Sequence, residues 1–395
     1  MEEAVNFAWP VTVLGQYDYN ALSDCLEQYK NIVEQKEIVI FGAGIRGTIF
    51  SILLQQKGYT NLVFTDNNEN KVGNFINEFP IISFSDVCEK RKEVFIIVSA
   101  ENGEGIKRQL ENNGFQEGIG FALVENHVYE EFIEEFFSKR NTEILVLGDC
   151  GLTDVGLKDN SYTTLGDLLK EGREQTKVLA MHGMGMRAYY QLVKLQSKAV
   201  EKPKKLMVMA NFETFTGKQH LLPRSQHVQL FELLYEKFED TELEEHLKLI
   251  RDRFANLKMD YFTSSHETMK RDQRNDKIVF KMNYMYNLSL ENECIQYMFH
   301  LSEFCKKQGI QLAFFIPPAN YQYAEKLWGE EFKIRYEENC KRLKEELSKK
   351  SIPVLDLSYM FPSDKFGDCC TVDECLNFEG RRLAAEAMLQ FLDSI

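Results

Sequence analysis

The sequence predicts an α/β protein of two domains, each a mostly parallel sheet wrapped by helices. Three observations predict it. At 395 residues the chain exceeds the usual size of one domain. Near the N-terminus a strand, a glycine turn, a helix, a second strand and an acid follow one another. From residue 143 onward, five short apolar runs alternate with helical stretches, the pattern of a parallel sheet.

The first domain is placed at 1–125. Residues 17–37 are expected to be helical, with Leu22, Cys25, Leu26, Tyr29 and Ile32 on one apolar face. The strand from Ile38 ends in Gly42-Ala-Gly44-Ile-Arg-Gly47 and leads into a helical pattern. A second strand, 62–66, ends at Asp66, 19 positions after Gly47, and Val94–Ser99 extends the sheet. This is the context of a Rossmann-like dinucleotide turn. The glycines let backbone approach a phosphate at a helix N-terminus, and the acid can accept from a ribose hydroxyl. A nucleotide-sugar, NAD(P) or another nucleotide would fit, and so would glycines that only pack the strand against the helix. The stretch from Phe64 to Gly73, followed by Phe79-Pro-Ile-Ile-Ser83, resembles the small Rossmann-like domains of bacterial sugar acyltransferases and sugar methyltransferases. In the acyltransferases such a domain contributes to nucleotide-sugar binding.

Residues 126–142 are expected to form a connecting helix packed between the domains, with Val128, Phe132, Ile133, Phe136 and Phe137 on its apolar face. The second domain is placed at 143–395. Its expected strands are 144–147, 178–181, 206–209, 312–316 and 354–357. Sites in such sheets lie at the carboxyl ends of the strands. Polar and special residues gather there: Asp149-Cys150, His182-Gly183, Asn211, Asn320 and Asp356. A mostly helical, charged insertion at about 219–293 is expected to cover the sheet edge, form a lid or simply pack. The helix 336–350 alternates Lys and Glu and reads as a solvated face.

The order of these blocks resembles the GDSL/SGNH hydrolase family. Leu147-Gly-Asp-Cys150 is similar to the family's Gly-Asp-Ser turn and puts Cys150 at the nucleophile position. The resemblance implies an oxyanion hole from Gly183 (or Gly185) and Asn211. It implies a closing Asp-x-His block where this chain has Asp373-Glu-Cys375-Leu-Asn. Cysteine therefore stands at both the nucleophile and the base positions. Cys375 titrates too high to act as a histidine does. His182, His220 and His227 flank the site in sequence as substitute bases. The leading expectation is a protein of bacterial surface or capsular polysaccharide synthesis with a degraded triad, binding a glycan precursor or nucleotide-sugar. The alternatives are an active cysteine-dependent O-acyltransferase or esterase, and a nicotinamide-nucleotide binder. Its partners would be small molecules or glycan precursors, with partner enzymes of the same synthesis.

Composition narrows the classes further. A hydrophobic content of 44% suits buried cores, and a net charge of −14 argues against nucleic-acid and anionic-membrane surfaces. No run of about 18 apolar residues predicts a membrane span. The start lacks a basic n-region, so no signal peptide is expected. Nine scattered cysteines suit a reducing cytoplasm. The cluster Asp368-Cys-Cys370, Asp373 and Cys375 matches no common zinc spacing, and no metal is expected.

Overall fold

The computed structural model describes residues 13–100, 103–124, 127–138, 142–157, 159–199, 202–216, 227–254, 273–367 and 375–395. The chain divides into two compact units, Met1–Val128 and Tyr129–Ile395.

The first unit carries a six-stranded sheet. Its order is Phe75–Ile76, Phe79–Ile82, Leu62–Thr65, Glu37–Phe41, Val94–Val98, Phe121–Leu123. Only the Phe75–Ile76 pairing is antiparallel. The central strands are apolar along their length because a parallel sheet is covered on both faces. Val39, Phe41, Val94, Ile96 and Val98 share one face, where Val87 and Leu110 of two helices pack. The helix expected over 17–37 stops earlier. Gln16–Gln28 is followed by a break at Tyr29 (φ −108°, ψ 16°) and a short turn, Lys30–Val33.

The second unit carries five parallel strands in the order Thr176–Ala180, Ile144–Gly148, Lys205–Met209, Gln311–Ile316, Val354–Asp356. All five expected runs are strands of this sheet, with ends within two residues of those read from the sequence. In chain order the arrangement is 2-1-3-4-5, so the crossover direction reverses between the first and third strands. Ile144, Val146, Met207, Met209 and Phe315 pack against Leu165 and Leu169 of one helix and Ala384, Ala385, Met388 and Leu392 of the last helix, Phe378–Ser394.

One expectation is corrected by packing. The helix Glu330–Lys349 is not wholly solvated. Phe332, Tyr336, Cys340, Leu343 and Leu347 recur at three- and four-residue spacing and are buried beneath its Lys/Glu face. The helix Val128–Phe137 makes contacts in the second unit. Phe137 stacks on Phe238 at 5.5 Å, and buried Lys177 donates to the carbonyls of Phe136 and Ser138 at its C-terminal end. A cation there complements the helix dipole. Three helices of the insertion are described: Val228–Phe238, Thr241–Phe254 and Gln273–Tyr284. Phe280 and Tyr284 of the third join an aromatic cluster with Phe332 and Tyr336. No helix of the described residues is long and apolar enough to cross a membrane.

Candidate functional site

Parallel register builds the site in the second unit. Ala180 pairs with Gly148, and Val208 with Leu147, so the next rank aligns Ala180, Gly148 and Met209. Two residues beyond that rank on each strand stand His182, Cys150 and Asn211. Three blocks far apart in sequence therefore meet at the carboxyl edge, where the sheet order reverses.

Each side chain is held by local structure. Asp149 caps the short helix Cys150–Thr153, its Oδ1 accepting from the Gly151 N–H at 3.0 Å. Its Oδ2 accepts from Asn211 Nδ2 at 2.7 Å. Asn211 Oδ1 in turn accepts from the Glu213 N–H at 2.9 Å, which fixes the amide's orientation. Asp149 is 1% exposed, and burial pushes its carboxyl up to about 6 against the two bonds that favour the anion. Gly148 leaves no room for a side chain: a Cβ there would lie 2.4 Å from Leu152 Cδ1.

His182 lies in a turn closed by the Met184 N–H on the Met181 carbonyl at 3.0 Å. Gly183 is its third residue, with φ +69°, the left-handed value that favours glycine. The turn leaves His182 exposed (63%) while its Nδ1 faces Asp154 Oδ2 at 3.5 Å. Asp154 is only 12% exposed, and its other oxygen accepts from Thr153 Oγ1 at 3.1 Å. One ligand atom each of Cys150, Asp154 and His182 lies within 4.8 Å of the others. A thiol, an imidazole and a carboxylate so placed are the parts of an activated nucleophile. The same three atoms are also possible ligands for a divalent ion.

The other expected residues fall as follows. Cys375 is buried and is not one of the three residues of the Cys150 cluster. Its carbonyl accepts from the Gly367 N–H, and Gly367 abuts Gly156, so its segment runs beside the chain leaving Cys150. Asp373, the Asp368-to-Cys370 stretch and His220 lie outside the described residues. His227 is buried at the start of the helix Val228–Phe238 and is not one of the three residues of the cluster. Arg381, 1% exposed, ties this region together: it pairs with Asp159 and donates to the carbonyls of Ser161, Thr163 and Leu376. Asp149's hold on Asn211 and the place of Asp154 were missed from sequence.

In the first unit the glycines divide by cause. A Cβ on Gly47 would lie 2.0 Å from the Gly42 carbonyl oxygen, and one on Gly42, whose φ is +120°, 2.7 Å from Ser99 Oγ. Those two serve close packing. Gly44 caps the helix Ile45–Gln56 and has nothing within 4 Å of such a Cβ. Asp66 closes onto this loop: its Oδ2 accepts from the Ala43 N–H at 2.8 Å and from Lys71 Nζ at 3.0 Å, and its Oδ1 from the Asn68 N–H. The Ala43 and Gly42 N–H groups of this loop are thus bonded to Asp66 and to the Thr65 carbonyl. No family model and no curated protein matches the chain.

Proposed function

We propose that the second unit performs cysteine-dependent acyl transfer or ester cleavage on acyl groups of a glycan precursor, in bacterial surface polysaccharide synthesis, and that the first unit recognises the precursor's nucleotide. The observation that carries the reading is Cys150 at the reversal point of the sheet, clustered with an imidazole and a carboxylate and beside an oriented Asn211. Thiolates are strong nucleophiles, and a thioester divides acyl transfer into two easier steps. The SGNH/GDSL resemblance supplies the acyl chemistry, and the sugar-acyltransferase resemblance of the first unit supplies the glycan. Gly44 supports the nucleotide: packing within the chain does not require it, whereas close approach of a phosphate does. Lys71 Nζ, 2.8 Å from the Ala43 carbonyl, adds a cation beside that loop.

A second reading, a binding protein with a degraded triad, is favoured by Cys375, a buried thiol where the family resemblance puts a histidine. One experiment separates the two. The protein is incubated with p-nitrophenyl acetate, quenched in acid and digested. Acetylation of Cys150 in the wild type and loss of turnover in Cys150→Ala support the enzyme. Equal turnover in wild type and Cys150→Ala removes it. Thermal-shift scans with UDP-sugars, NAD and NADP test the first unit, and no stabilisation by any of them leaves its glycines as packing alone.

A further inference from the structure

We propose that His182 and Asp154 form the proton relay of Cys150, replacing the base lost at Cys375. The inference rests on the acyl-transfer reading and assigns its missing group. Of the described histidines, only His182 belongs to the Cys150 cluster. His246 is buried against Phe231, where burial and then Arg187 hold its imidazole down to about 3. His300 packs among Tyr190 and Tyr297 on the helix Glu293–Gln308.

The geometry gives each member one task. Asp154 follows the Cys150 helix directly, and the Thr153 hydroxyl orients one of its oxygens, leaving the other toward His182 Nδ1 at 3.5 Å. The relay assigns Nδ1–H to Asp154 and leaves Nε2 as the proton acceptor, the tautomer a triad requires. The 3.5 Å separation is long, as catalytic contacts often are before substrate binds. His182 projects from the Gly183 turn into solvent, where an acyl donor arrives, while Asp154 sits behind it, mostly buried.

The reaction balances on these groups. His182 takes the thiol proton as the Cys150 sulfur attacks the ester carbonyl carbon. The tetrahedral adduct expels the alcohol oxygen, which receives that proton from the imidazolium, and a thioester remains on Cys150. A sugar hydroxyl or water then loses its proton to His182, attacks the thioester carbon and releases the thiolate, which is reprotonated. Asp154 is a positioning residue throughout.

The test uses the full chain and the variants Cys150→Ala, His182→Ala and Asp154→Asn, with melting curves to confirm folding. Two readouts are taken: the rate of Cys150 acetylation by p-nitrophenyl acetate, and the pH profile of Cys150 alkylation by iodoacetamide, both by peptide mass spectrometry. His182→Ala is expected to slow acetylation about 100-fold or more, the usual worth of a general base. It should also move the alkylation profile up to that of an ordinary thiol, near pH 8.5. Asp154→Asn should produce a smaller loss with the profile shifted the same way. If Cys150→Ala abolishes turnover of p-nitrophenyl acetate while His182→Ala keeps the wild-type acetylation rate and profile, the relay is wrong and the acyl-transfer reading survives. If Cys150→Ala turns the ester over at the wild-type rate, the acyl-transfer reading itself falls. Stoichiometric zinc in the purified wild type, lost in both Cys150→Ala and His182→Ala, overturns the relay by making the cluster a metal centre.

Discussion

Replacing Arg381 with Met should cost the second unit about 3–5 kcal/mol, the usual result of removing one partner of a buried ion pair. The magnitude follows from what the guanidinium leaves behind. Its Nη1 bonds Asp159 Oδ2 at 2.8 Å and the Leu376 carbonyl at 2.6 Å; its Nη2 and Nε bond the Ser161 and Thr163 carbonyls at 2.8 and 2.9 Å. Arg381 and Asp159 side chains are 1% and 3% exposed, so water cannot replace these bonds without opening the core. The neighbouring pair Arg382–Glu386 is about half exposed and supplies an internal control, worth at most about 1 kcal/mol. Of the two tryptophans, Trp328 lies in the second unit. Urea unfolding followed by its fluorescence in a Trp9→Phe background therefore reports that unit. Arg381→Met should lower the midpoint on the order of 1–2 M, and Arg382→Ala should scarcely move it. Adding Asp159→Leu to Arg381→Met should restore part of the loss, because no uncompensated charge is then buried. Equal midpoints for Arg381→Met and Arg382→Ala would refute the argument.

Asp149 should give the second unit a pH signature. Its folded value of about 6 lies above an ordinary carboxyl's 3.8, so the folded state holds the proton more tightly. Stability from this group is full below pH 4 and is lost as pH rises toward 6, by roughly 3 kcal/mol; urea midpoints of Asp149→Asn measured across that window should lack this fall, and parallel curves would count against it. Gly47→Ala should destabilise the first unit by about 1–3 kcal/mol, since its Cβ would meet the Gly42 carbonyl at 2.0 Å, and an unchanged melting temperature would contradict this. Gly44→Ala should leave melting unchanged, because its Cβ meets nothing, yet abolish any thermal shift caused by a nucleotide. A shift of wild-type size in that variant would show that no ligand approaches there.

The strands were legible because parallel sheets demand short, unbroken apolar runs, and Val94–Val98 and Ile144–Gly148 announce themselves that way. Two glycines were legible as well, Gly47 in its helix answering to close packing on the Gly42 carbonyl and Gly183 in its turn to positive φ. Charge alternation misled over Glu330–Lys349, because the apolar stripe from Phe332 to Leu347 is interleaved with the Lys and Glu that dominate its composition. The candidate residues were also visible by position: Cys150, Gly183 and Asn211 each follow a strand. Which of them share a neighbourhood is a question of strand order and register, and those arise from long-range pairing that no local pattern encodes. Only the alignment of Ala180, Gly148 and Met209 brings His182 to Cys150. Only the tertiary structure buries Asp149 and makes it the anchor of Asn211. Asp154 lies four residues from Cys150 in the chain, but its partner His182 comes from the next strand, and tertiary structure alone decided that meeting.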